Sequence, residues 1–94
     1  MLSQIPINLE KVNKKDIDKE ILRIAIIAEL DATSFYEPMA NMTANENIKK
    51  ILLEVAREEK THVGEFQALL LKEDAEQEKE LANGKAEVEE LMEE

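Results

Sequence analysis

The sequence predicts an all-α protein, an antiparallel two-helix hairpin followed by a C-terminal helix, and three observations lead to that fold class. Two stripes advance in alternating steps of three and four, Leu22, Ala25, Glu29, Ala32, Tyr36 and Met39 in the first, and Ile48, Leu52, Val55, Glu59, His62, Phe66 and Leu69 in the second. That alternation is the repeat of one helical face. Only two Gly and two Pro interrupt the 94 residues. No cysteine is present, so disulfides and thiolate zinc sites are excluded.

Residues 1–12 read as an N-terminal arm in which Ile5, Ile7 and Leu9 alternate around Pro6 without a helical period. An extended segment docked in a groove and an unstructured terminus both satisfy this pattern. A hairpin over residues 13–73 follows. Asp16 or Asn13 is placed to cap its first helix, and Pro38, inside the stripe, predicts a kink or an early end within residues 35–39. Thr43 with Glu46 has the T-x-x-E spacing of a capping box, which predicts a turn at residues 41–43 and a second helix starting near residue 44. The second helix is predicted to reach Leu71 or Lys72. Gly64 within it either admits a close backbone or is tolerated, at about 1 kcal/mol relative to Ala.

Residues 74–94 form an acidic C-terminal helix or tail that opens at Asp74 and Gln77. Its apolar positions are sparse, at Ala75, Leu81, Val88 and Leu91, and Asn83 with Gly84 predicts an interruption. So thin a stripe either lies against another subunit or frays.

Charge narrows the range of partners. The 22 acidic and 12 basic residues give a formal charge of −10, which repels nucleic-acid phosphates and anionic membranes and favours cations. Phe35, Tyr36 and Phe66 are the only aromatic residues, too few for a base-stacking platform. No apolar signal segment follows Met1 and no run of about 18 apolar residues occurs, so a cytoplasmic location is expected.

Two of the stripe positions carry the chemistry. Glu59 and His62, three apart, occupy a face that otherwise reads as hydrocarbon, and Glu29 interrupts the facing stripe in the same way. Burying a carboxylate or an imidazole is costly without compensation, and a bound metal compensates both. Counted from a turn near residue 42, Glu29 and the Glu59/His62 pair differ in height by about 6 to 10 Å at a rise of about 1.5 Å per residue. The register of the hairpin therefore decides whether the three meet. One Glu plus one Glu-x-x-His is half of the donor set of a carboxylate-bridged di-iron bundle. Two copies around a two-fold axis would complete four helices and two metal positions. Oxygen and nitrogen ligands suit iron or manganese, and zinc and copper also accept them.

The remaining polar and sulfur side chains have plainer readings. Tyr36 either packs at the bundle edge or hydrogen-bonds a ligand. Asp31, Glu37, Glu54, Glu58 and Glu65 read as surface charges, and Met39 and Met42 as core filler.

The segments IAELDATSFYE, with Glu29 and Tyr36, and ILLEVAREEKTHVGEF, with Glu59 and His62, resemble the encapsulated ferritin family, half-length helical hairpins within the ferritin and rubrerythrin superfamily. The resemblance covers about residues 20–70. It implies that Glu29, Glu59 and His62 are iron ligands, with Glu59 a candidate bridging carboxylate and Tyr36 close to the site. It further implies a ferritin-like four-helix bundle formed by dimerisation, and a di-iron ferroxidase at a subunit interface that consumes Fe²⁺ and dioxygen. Dimers would build a ring, commonly a decamer, that delivers its product into an encapsulin nanocompartment. An acidic position that guides incoming iron corresponds to Asp31. A second falls at Ala28, where this chain departs from the pattern, as it does at Pro38. No shell-targeting peptide follows the acidic tail, so the chain reads either as a domain of a fusion with its shell protein or as one recruited differently.

Two other functions fit the same residues. A rubrerythrin-like peroxide reductase would use the same centre but draws on an electron donor that a cysteine-free chain lacks. In a non-catalytic assembly module the polar seam residues would set register and partner choice instead.

Overall fold

A computed structural model describes residues 9–93. Most of the expected N-terminal arm, including Ile5 and Ile7, lies outside the described residues, as does Glu94. A short 3₁₀ turn, Leu9–Lys11, leads into α1 (Ile17–Met42), α2 (Glu46–Glu73) and α3 (Ala75–Glu93). The fold is all-α, and no helix among the described residues is long and apolar enough to cross a membrane.

Asp16 stands at the N-cap of α1, but its side chain makes no capping bond. Its backbone is in the α region, with φ −105° and ψ −5°, rather than the β region from which a cap side chain reaches the first N–H groups. The carboxylate turns instead to Lys19 at 3.3 Å. Asp18 and Glu20 supply negative charge to the first turn, where the helix dipole favours it.

Pro38 does not end α1, which continues to Met42. The lost N–H leaves the carbonyl of Ser34 without its helical donor, and Ser34 is exposed, so this loss falls on the solvent side of the helix. Beyond the proline, Ala40 is fully buried in the hairpin seam. On the preceding turn, Glu37 accepts from Lys60 of α2 at 2.6 Å. Packing and this cross-link hold the last turn in place.

The capping box expected at Thr43 and Glu46 is replaced by another arrangement. Asn45 is the N-cap, and its side-chain oxygen accepts from the N–H groups of Asn47 at 2.9 Å and Ile48 at 3.1 Å. Thr43 caps the end of α1 and its hydroxyl accepts from the Asn45 N–H at 3.1 Å. The turn therefore occupies residues 43–45, and α2 begins two residues later than the sequence pattern predicts.

Asp74 closes one helix and opens the next. Its N–H donates to the Leu70 carbonyl at 2.9 Å, and its carboxylate accepts from the Gln77 N–H at 3.0 Å. Arg23 of α1 donates to the same carboxylate at 2.7 Å and to Glu20 at 2.6 Å, which ties the start of α3 to the hairpin. The Gln77 N–H, opposed by desolvation and helped by the charges of Lys19 and Arg23, holds the Asp74 carboxyl below its ordinary value of 3.8. The interruption expected at Asn83 and Gly84 is absent, because α3 runs unbroken through both. Asn83 uses its side chain on Glu80 at 3.2 Å instead of competing for the backbone.

The core is thin. Ala40, Ala56 and Leu70 are its buried apolar residues among those described, and the molecule measures 47 × 45 × 19 Å. It is a single layer, whereas stable domains bury their apolar faces between two. Ile48 and Leu69 are each 51% exposed, and Ile51 more so. Gly64 has no neighbour within 4 Å of where a Cβ would stand, so among the described residues no backbone from another element approaches it closely.

Asn45→Ala should cost about 1 kcal/mol of stability in chemical denaturation, and Asn45→Asp should retain most of the cap. The Asp74 corner carries a pH signature. A folded-state pKa below the unfolded one gives stability that is present above the unfolded value and lost as pH falls through the folded value. The destabilisation caused by Asp74→Asn at pH 7 should therefore shrink as pH drops below 3.8, which circular dichroism of thermal unfolding across pH will measure.

Candidate metal centre

Glu29 lies in the middle of α1, and Glu59 and His62 lie on successive turns of α2. The three-residue turn and the antiparallel packing set a register in which the three side chains meet. Each offers one donor atom, and these atoms all lie within 4.8 Å of one another. His62 Nδ1 is 3.3 Å from Glu29 Oε2 and 3.6 Å from Glu59 Oε2. Donors on adjacent positions of one six-coordinate ion, each about 2.1 Å from it, would stand about 3.0 Å apart. The two His62 contacts, at 3.3 and 3.6 Å, are close to that separation.

Burial differs among the three. The Glu29 and Glu59 side chains are 17% and 20% exposed, and His62 is 44% exposed. The carboxylates thus sit in the seam while the imidazole turns outward from it. Thr33, one turn after Glu29 and buried, donates its hydroxyl to the Glu29 carbonyl at 3.0 Å, a back-bond that braces α1 beside the site. Such a bond is readable only as a Thr four residues after a ligand, and that spacing is common on helices.

Electrostatics explain why the group is poised for a cation. Lys60 is engaged with Glu37, and Arg57 with Glu54, both outside the cluster. Two carboxylates therefore face a single imidazole with no lysine or arginine between them. A divalent ion would neutralise that excess and satisfy all three donors, and the absence of thiolate suits iron or manganese.

The other candidate residues lie apart from these donors. Tyr36 is half-buried two turns along α1, its ring meeting Phe35 edge to face with centroids 6.1 Å apart. Among the described residues it makes no hydrogen bond to Glu29, Glu59 or His62. Asp31 is likewise not among the converging donors. Glu65, Phe66 and Leu69, which the sequence marks as a surface charge and two stripe residues, share with Glu29 and His62 the walls of a cavity of about 320 Å³.

A hairpin with a carboxylate on one helix and Glu-x-x-His on its neighbour is half of the frame of the carboxylate–histidine helical bundles. Comparisons with known proteins agree with that class. The rubrerythrin family profile matches residues 20–93. A ferritin-like–encapsulin shell fusion protein of Pyrococcus furiosus is 59% identical over 93 residues, 97% of this chain. The chain spans 27% of that relative's length. The crystal structure of the encapsulated ferritin domain from Pyrococcus furiosus superposes with a TM-score of 0.82 at 56% identity, covering 97% of this chain and 93% of that one. The chain belongs to the rubrerythrin family, in its encapsulated-ferritin branch.

Proposed function

We propose that two copies of the chain meet across the half-exposed face of α2 and together hold a pair of Fe²⁺ ions for oxidation by dioxygen. In this ferroxidase reaction iron is the substrate. The observation that carries the reading is the convergence of three donor atoms within 4.8 Å on a face whose apolar neighbours, Ile48, Ile51 and Leu69, remain exposed.

Each side chain has a separable task. Glu29 and Glu59 supply anionic oxygen, which favours Fe³⁺ over Fe²⁺ and so lowers the cost of removing an electron. Glu59 lies between the seam and the outward face, where a carboxylate can shift between terminal and bridging modes across two ions. His62 contributes nitrogen from the face that a second copy would cover. Three protein ligands per chain leave coordination positions for dioxygen, which accepts two electrons for each pair of ions oxidised. Tyr36, two turns from Glu29 and apart from the donors within one chain, is assigned to the surroundings of the completed two-chain centre. Asp31 is assigned to guiding incoming iron.

The dimer is the repeating unit of a larger homo-oligomer, and the decamer that the family resemblance implies is the proposed ring. The fusion named for the Pyrococcus furiosus relative supports association with an encapsulin shell, the proposed place, within the cytoplasm, where oxidised iron is stored. The rubrerythrin match also supports a peroxide-dependent reaction at the same centre, which a comparison of turnover with dioxygen and with hydrogen peroxide separates.

Aerobic addition of Fe²⁺ should produce a rise in near-ultraviolet absorbance that falls to the protein-free rate in Glu59→Ala and in His62→Ala. Unchanged oxidation in both variants refutes the reading. Because each chain holds half a site, Fe²⁺ added without oxygen should move sedimentation profiles toward larger species by mass action. Profiles indifferent to metal would separate the interface from the site.

A further inference from the structure

Glu65 stands one turn beyond His62 on α2 and lines the same cavity as Glu29 and His62. A step of three residues rotates it about 60° from His62, in the direction away from α1. The buried residues Ala56 and Leu70 mark the side of α2 that faces α1. From that side outward the order is Glu59, then His62, then Glu65, so the three form a path from the seam to the rim of the half-exposed face.

Its position sets Glu65 apart from the other acidic residues of the hairpin, because besides the ligand Glu29 it is the acidic residue that lines this cavity. Glu37 is held by Lys60 at 2.6 Å and Glu54 by Arg57. Glu65 is exposed and has no hydrogen-bond or ion-pair partner among the described residues. Phe66 and Leu69 form the apolar side of the cavity, and low-dielectric walls concentrate the field of a charge at a mouth. An unneutralised carboxylate there attracts a dication before any ligand has been displaced from it.

We infer that Glu65 is a second approach carboxylate of the metal centre, in addition to Asp31, a positioning residue that captures hydrated Fe²⁺ at the rim of this cavity and hands it to His62 and the two carboxylates within. The assignment rests on the ferroxidase reading. It adds a route to that reading, in which Glu65 makes an outer contact with the ion's water shell and does not belong to the final ligand set.

The test uses the whole chain and Co²⁺, which keeps its oxidation state and reports binding through its visible absorption. In Glu65→Gln the association rate should fall about threefold at low salt, a fraction of what a fully charged cleft provides. The stoichiometry and final spectrum should match those of the unmodified chain. The difference should vanish near 1 M salt, where the screening length is about 3 Å. With Fe²⁺, the same variant should raise KM without a matching fall in kcat. Glu90→Gln, which removes an equal charge from α3, should leave the association rate unchanged. An association rate unaffected by Glu65→Gln overturns the inference, as does a rate lowered equally by Glu90→Gln. A reduced stoichiometry or altered spectrum also overturns it, because Glu65 would then be a ligand. Failure of the unmodified chain to bind Co²⁺, or binding that survives His62→Ala, instead overturns the ferroxidase reading itself.

Discussion

The rest of this structure depends on one electrostatic constraint, the meeting of two carboxylates and one imidazole in a helical seam with no lysine or arginine of the described residues between them. Glu29 and Glu59 are largely covered, and both lie within 3.6 Å of His62. Two carboxylates with donor oxygens within 4.8 Å of each other in a partly desolvated place raise the free energy of the fold unless something neutralises them. Lys60 and Arg57 are near in sequence but committed elsewhere. A hairpin that binds nothing would be better served by leucine at these positions. The chain accepts the cost, and a divalent cation is the compensation that suits both oxygen and nitrogen donors.

The same face explains why the molecule is a single layer. Its buried apolar residues are small or few, and the side chains that would normally fill a core stand half in water. Covering the exposed half of Ile48, Ile51 and Leu69 is worth about 1 kcal/mol apiece. His62 lies on the same helical face as these residues, so an element that buries the apolar positions would also cover the imidazole. Site completion and core completion are thus one physical demand on one surface, which is the strongest structural argument for a second copy.

α3 answers a different demand. It has no buried residue and is strongly acidic, and its place is set at its first turn, where Asp74 ends α2, caps α3 and accepts from Arg23. A helix anchored at one end by a charge-assisted corner keeps its direction while its far end carries Val88, Leu91 and Met92 into solvent.

Much of this was legible in the residues. The three-and-four spacing, the misplaced Glu29, Glu59 and His62, and the Asp74/Gln77 start of α3 are local features, because helical hydrogen bonds and caps are made within one or two turns. Where several local choices compete, the outcome depended on tertiary context. Asn45 took the cap from Thr43 because it directly precedes Glu46, the first residue of α2, whereas Thr43, equally extended, ends α1. Pro38 stayed helical because Ala40 is packed beyond it, and Gly84 stayed helical because its neighbour Asn83 bonds along the helix. The sequence by itself determined which residue types face one another's helices. Only the tertiary structure decided that Glu29 stands at the height of His62, and that Glu65 shares their cavity. Periodicity specifies a face to within a rotation, but the relative height of two helices follows from turn length and side-chain interdigitation, which no single helix encodes.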